Sequence, residues 1–416
     1  AEADTLPLVI NVPTGAGKTA AAVLGWLWRR RMHPSDRVRH ATPRRLVYCL
    51  PMRTLVEQTV EATRTWLANL DLLAAGPQDV GKVGVYQLMG GEVTNDWDAA
   101  PEAEAILIGT QDQLLSRALN RGYALSRYRW PMQFGLLNSD CLWVMDEIQL
   151  MGPGLPTSLQ LQAFRDALGA CGPVQSIWMS ATVRDRDLLT VDGPPLEDFQ
   201  AHTLTLTADD ATHPVLSARL TAPKPLARST LALEKETAKT YPAELATRVL
   251  DAHAPGSLTL VVLNQVARAQ AVFRALDKLP EADAVDRVLV HSRFRPAERR
   301  QLRARLSESI PPEGRIVVAT QAVEAGVDIS ARVLFTELAP WPSLVQRFGR
   351  CNRYGEWSDE QCRVHWIDIT EPRECAPYEP ETLNLAREIL GDLSDGGLTT
   401  LESIADPTPA GLTQVI

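Results

Sequence analysis

Asn11-Val-Pro-Thr-Gly-Ala-Gly-Lys-Thr19 decides how this chain is read. The apolar, β-favouring run Leu6-Pro-Leu-Val-Ile10 precedes it, and the helical run Ala20-Ala-Ala-Val-Leu-Gly-Trp-Leu-Trp28 follows. Strand, glycine-rich turn, Lys-Thr and helix, in that order, make a phosphate-binding loop. Backbone N–H groups can wrap a phosphate chain only where side chains are small. Gly15 and Gly17 supply the φ values and the close approach. The helix start turns unpaired N–H groups and its positive dipole end toward the same anion. Thr14, Gly15, Ala16, Gly17, Lys18 and Thr19 are therefore the expected ATP-phosphate set. Lys18 reaches the β- and γ-phosphates, and the Thr19 hydroxyl ligates Mg²⁺.

At 416 residues the chain has room for two or three domains, and 45% hydrophobic with 22% charged residues suits a soluble globular protein. No apolar run approaches the ~18 residues of a membrane span, and no signal peptide is visible, so a cytoplasmic protein without a membrane partner is expected. Six cysteines without a CxxC pair predict reduced thiols and no structural zinc. The net charge of −9 does not announce nucleic-acid binding, but its distribution does more. Residues 29–45 hold seven arginines, residues 293–305 hold six, and residues 117–130 interleave four with Tyr123, Tyr128 and Trp130. Positive patches on an acidic body suit contact with phosphates along a path, and the aromatics suit stacking on bases.

Apolar runs at 45–50, 83–88, 105–108, 140–145, 176–179 and 203–207 read as strands alternating with helices. The alternation restarts with strands at 258–263, 287–290, 315–319, 332–335 and 364–369. The alternation predicts an α/β protein with two tandem parallel-sheet domains. The expected divisions are domain 1 at 1–207, a linker at 208–240, domain 2 at 241–370 and a helical extension at 371–416.

Asp140-Cys-Leu-Trp-Val-Met145 leads straight into Asp146-Glu147. Carboxylates at the carboxyl end of a buried strand are costly without a partner such as a metal, and a parallel sheet places its ligand just beyond that end. Asp146 is expected to hold Mg²⁺ together with Thr19, and Glu147 to orient and deprotonate the attacking water. In the second half, Arg350 and Arg353 stand three residues apart in Gln346-Arg-Phe-Gly-Arg-Cys-Asn-Arg353, one helical turn, so both are expected on one face. Such arginines, brought to the γ-phosphate, neutralise transition-state charge.

The ordered set resembles a superfamily 2 helicase. Pro13–Thr19, Pro51–Gln58, Gly109-Thr-Gln-Asp112, Asp146-Glu147, Ser180-Ala-Thr182, Ala319–Asp328 and Gln346–Arg353 follow that family's motif order. Such helicases often relax the first loop glycine, where this chain has Val12. The wording around the motifs, as in Tyr48-Cys-Leu-Pro-Met-Arg-Thr-Leu-Val-Glu-Gln58 and Val144-Met-Asp-Glu-Ile-Gln-Leu-Met-Gly152, is similar to the CRISPR-associated helicase–nuclease of type I interference systems. The resemblance implies two tandem RecA-like parallel-sheet domains with an ATP cleft between them, ATP- and Mg²⁺-dependent 3′→5′ translocation on single-stranded DNA, and recruitment by an RNA-guided CRISPR surveillance complex. It maps Arg53, Thr54, Thr110 and Thr320 onto nucleic-acid phosphate contacts. Gln346, Gly326 and Asp328 map onto nucleotide contacts, Gln346 among the catalytic set. Gln149 stands where many relatives have His.

With ten residues before Asn11, the upstream adenine-reading segment that the resemblance implies is expected to be absent from this sequence. The nuclease chemistry of such proteins needs a His-Asp pair, and no His-Asp dipeptide occurs among the seven histidines. The expectation is therefore a helicase without nuclease activity, served by a separate or missing nuclease domain. A restriction- or repair-type helicase of the same superfamily, and a nucleotide-gated DNA clamp without sustained turnover, are the competing readings.

Overall fold

The computed structural model describes residues 5–402 and Ile404, apart from residues 14, 80, 91, 94–96, 124, 182, 184, 325 and 326. Thr14, Thr182 and Gly326 of the expected motifs lie outside the described residues. The chain divides into two units between Thr207 and Ala208.

The first unit is built on one eight-stranded sheet: β1 (Val9–Asn11), β2 (Arg45–Leu50), β3 (Gly84–Met89), β4 (Glu92–Val93), β5 (Ala105–Thr110), β6 (Cys141–Asp146), β7 (Val174–Ser180) and β8 (Thr203–Leu204). The order is β4-β3-β5-β2-β6-β7-β1-β8, and every pair is parallel except β3–β4. The central strands are buried on both faces, so they read as unbroken apolar runs. Leu46, Tyr48, Leu50, Ile106, Ile108 and Val144 face one side, packed with Val23, Trp26 and Leu27 of helix Lys18–Arg31 and Val56, Val60 and Leu67 of helix Arg53–Asn69. Val47, Cys49, Leu107, Trp143 and Met145 face the other, against Leu114 of helix Gln111–Ala118 and Leu155 and Leu159 of helix Gly154–Leu168.

The second unit carries a six-stranded parallel sheet in the order β11-β12-β10-β13-β14-β9. Its strands are β9 (Leu226–Arg228), β10 (Leu258–Val262), β11 (Asp286–Val290), β12 (Arg315–Ala319), β13 (Val333–Glu337) and β14 (Arg363–Ile367). Among the described residues, no helix of either unit is long and apolar enough to cross a membrane.

Several expectations need correction. The segment 208–240 is not a mere linker. It holds helices Ala208–Thr212 and Pro214–Leu220, and β9 pairs with β14 as an edge strand of the second sheet. Pro223 and Pro225 precede it, and an edge strand tolerates their missing N–H groups. The strand expected at 203–207 is only two residues long. Helix Trp341–Phe348 stops before Arg350, so Arg350 and Arg353 share a turn rather than a helical face.

The basic patches at 29–45 and 117–130 are partly spent inside the fold, whereas Arg293, Arg295 and Arg300 of the third are exposed. Arg30 and Arg31 each meet Glu104 (2.8 and 2.7 Å), and buried Arg45 donates to the carbonyls of Leu136, Pro101 and Ser139. Arg117 is buried against Gln113 and Gln133, and Arg129 pairs with Asp98. Arg305 pairs with Asp286. Arg121, Arg127 and Tyr128 do remain exposed.

His365 on β14 stacks on Phe335 of β13, with ring centroids 4.6 Å apart. Burial, then the charges of Arg363 and Arg248, pull its pKa down to about 4 from 6.5. Between those values the unfolded chain binds a proton that the folded unit refuses, so stability falls as pH drops through about 6.5 to 4. His365→Gln should flatten the dependence of the urea midpoint on pH across this window and leave it unchanged above pH 7.

Candidate nucleotide and nucleic-acid site

The sheet register brings the functional ends of three neighbouring strands together. Asn11 of β1 lies opposite Ser180 of β7, and Met179 of β7 lies opposite Asp146 of β6. The phosphate loop, the Asp146-Glu147 pair and Ser180-Ala181 therefore leave adjacent strands at the same sheet end, within about 10 Å across two strand spacings. This is where a parallel sheet puts its ligand.

The loop holds two left-handed glycines, Gly15 (φ 89) and Gly17 (φ 87), and Gly17 caps helix Lys18–Arg31. A β-carbon at either would be strained, as a phosphate cradle requires. Lys18 is buried, and its Nζ donates to the Val12 carbonyl at 2.9 Å, so the amine lies folded over the strand end.

Asp146 is buried and held by three groups. The Tyr48 hydroxyl donates to Oδ2 at 2.7 Å, the Glu147 N–H donates to Oδ1 at 2.9 Å, and the Lys18 charge acts on it through space. Burial first, then the Glu147 charge, hold its carboxyl above the usual carboxylate range, while Lys18 and Tyr48 pull it back. Thr19 hydrogen-bonds the same Tyr48 phenol, whose own pKa is raised by burial and by Asp146. A buried carboxyl that resists ionisation, beside a hydroxyl and an amine, fits a divalent cation and a phosphate chain, because both would offset the cost of its charge. Thr19 and Asp146 would hold Mg²⁺, which would neutralise the β/γ-phosphate oxygens.

Glu147 sits at φ 55, and Gln149 fixes it. The Gln149 amide donates to Glu147 Oε2 at 2.6 Å, and its carbonyl accepts from the Ser180 hydroxyl at 2.7 Å. Gln149 thus joins Glu147 to Ser180 within one unit.

On the neighbouring strands β2, β5 and β3, the same sheet end carries Arg53, Thr54 and Thr110. Leu50 lies opposite Thr110 and Leu88 opposite Gly109. Arg53 and Thr54 open helix Arg53–Asn69, with the exposed Arg53 guanidinium over Gly90, and Thr110 caps helix Gln111–Ala118.

In the second unit, Thr320 follows β12, is buried and donates its N–H to Val290. Gln346 is half-buried on helix Trp341–Phe348. Arg350 is buried and donates to the Glu324 carbonyl at 2.7 Å, and Arg353 pairs with Asp328 at 2.9 Å. Arg347, overlooked within the motif, is fully buried. It binds Glu324, Thr336, the Glu337 carbonyl and Asn264 at 2.8–3.0 Å, tying the motif to the ends of β10 and β13. Tyr48 was also missed, since its partner is distant in sequence.

Two parallel α/β units, a phosphate loop and a strand-end Asp-Glu define a nucleotide-binding helicase fold of superfamily 2. Residues 3–191 match the DEAD/DEAH box helicase family, and residues 255–356 match the family described as CRISPR-associated nuclease/helicase Cas3, C-terminal. Together the two matches support a Cas3-like helicase of superfamily 2. Its relatives include the CRISPR-associated helicase Cas3 of Thermoproteus tenax, 31% identical over 137 residues (32% of this chain, 22% of the relative). The CRISPR-associated endonuclease/helicase Cas3 of Thermus thermophilus is 28% identical over 337 residues (67% of this chain, 34% of the relative). The crystal structure of T. fusca Cas3 superimposes with a TM-score of 0.62 at 19% identity, covering 92% of this chain and 46% of that one. A chain of a CRISPR RNA-guided surveillance complex, pre-nicking, gives 0.58 at 18% identity over 92% and 45%. This chain therefore spans less than half the length of these relatives.

Tyr48→Phe removes the donor to a buried carboxylate without changing shape. It should destabilise the first unit by about 1–3 kcal/mol, read from urea unfolding.

Proposed function

We propose that this chain is the ATP-driven motor of a type I CRISPR interference system, translocating 3′→5′ on single-stranded DNA. The observation that carries the reading is the convergence of Lys18, Thr19, Asp146 and the Glu147–Gln149–Ser180 chain at one sheet end, beside the Arg53–Thr54–Thr110 row. Lys18 leaves the Val12 carbonyl to bind the γ-phosphate. Glu147, held by Gln149, takes the proton of the attacking water. The in-line attack breaks the bond to the γ-phosphate and yields ADP and phosphate. Arg350 and Arg353 act from the second unit on the charge that develops, with Gln346, Gly326 and Asp328 at the nucleotide. Arg53, Thr54, Thr110 and Thr320 grip DNA phosphates, which gives hold without sequence preference.

Ser180 shares hydrogen bonds with the residue that orients Glu147, so a shift of the Ser180-Ala181 segment reaches the catalytic carboxylate. An RNA-guided surveillance complex supplies the opened DNA, and a separate nuclease, or a further part of the protein, cuts it. The likeness to a chain of the pre-nicking complex supports that partnership.

Steady-state ATP hydrolysis with and without single-stranded DNA tests the reading. The expected result is turnover stimulated by DNA more than by RNA, and lowered by about 10²-fold or more in Lys18→Ala and Glu147→Gln. Turnover indifferent to DNA counts against translocation, and preference for RNA counts against the CRISPR assignment.

A further inference from the structure

The turn carrying Arg353 is held from outside by the stretch with which the chain enters its second unit. Asn352 is fully buried at φ 44, a left-handed position that asparagine tolerates better than most residues. Its side chain closes the turn, donating to the Trp357 carbonyl at 2.8 Å and accepting from the Trp357 N–H at 3.1 Å. The same amide donates to the Pro223 carbonyl at 3.0 Å. Gly355, at φ 72, lies so close to the Ala218 carbonyl that a β-carbon there would overlap it. The Arg219 guanidinium lies 5.2 Å over the Tyr354 ring. The Tyr354 hydroxyl in turn donates to Asp328 Oδ1 at 2.7 Å, the oxygen that Arg353 Nε meets at 2.9 Å. The Asp328 side chain is 69% exposed, so little besides this turn fixes it, whereas Arg353 is only 13% exposed.

We propose that residues 218–223 clasp the 352–357 turn, and that Arg219 and Asn352 are positioning residues that aim Arg353 at the nucleotide. The proposal rests on the reading above that Arg353 serves hydrolysis. A long guanidinium side chain stabilises a transition state only when its starting geometry is restricted. Loosening the clasp therefore lowers kcat and leaves ATP binding largely alone. The clasp lies just past the Thr207–Ala208 boundary, so a displacement of the chain there reaches the arginine turn through Arg219 and Tyr354.

The test is steady-state ATP hydrolysis at saturating single-stranded DNA by the full chain in four forms: unaltered, Arg219→Ala, Arg353→Ala and the double variant. Arg219→Ala should lower kcat about 3- to 10-fold, with the KM for ATP within about twofold, and should have no further effect on top of Arg353→Ala. Arg219→Lys, which keeps a cation over the ring, should recover most of the loss. Gly355→Ala, acting from the other side of the contact, should follow the same pattern. Equal losses in both backgrounds, or a lowered melting temperature with kcat intact, would overturn the clasp. Unchanged kcat in Arg353→Ala would instead overturn the reading beneath it, and the clasp with it.

Discussion

A carboxylate that the fold cannot afford to leave alone sits at the centre of the first unit. Asp146 ends a strand buried on both faces, and burial raises the cost of its charge. Tyr48 from β2, the Glu147 N–H and the Lys18 amine are what the protein sets against that cost. Tyr48 and Lys18 come from two other chain segments, and only the parallel sheet brings them to Asp146. The phosphate loop, Asp146 and Glu147 are thus fixed by the same contacts that complete the core.

The second unit has a counterpart in Arg347, a fully buried guanidinium with four partners. Removing one member of such a group strands the others in a medium of low polarity. Its neighbours Arg350 and Arg353 differ in character. Arg350 is turned into the fold, whereas Arg353 is tied to an exposed carboxylate through a turn that other residues must hold in place. One motif of eight residues therefore holds a fully buried anchor, a second arginine turned inward and a third paired with an exposed carboxylate.

How much of this could be read from the chain followed the range of the interaction. The phosphate loop and the Asp146-Glu147 pair are local patterns with fixed offsets, and the structure brings them to one sheet end. The strands 45–50 and 315–319 stand where their apolar runs put them, because both faces are buried. Tyr48 could not be read as a site residue, since its partner lies 98 residues away and the pairing depends on sheet register. The three-residue strand β9 is too short for any periodicity and sits among prolines. The helix stop at Phe348 was legible in Gly349, although the three-residue spacing of Arg350 and Arg353 suits a helical turn. The arginine clusters were legible only in part, for a different reason: a run of cations does not reveal which carbonyls and carboxylates will cap some of them.

That inward use of arginine shapes how the exterior meets other molecules. With Arg45 and Arg117 buried against carbonyl and amide oxygens, the surplus of 51 acidic over 42 basic side chains is felt the more at the surface. A bulk polyanion approaching from an arbitrary direction meets a like-charged body and is turned away. Net repulsion of this kind disfavours loose, undirected adhesion to polyanions.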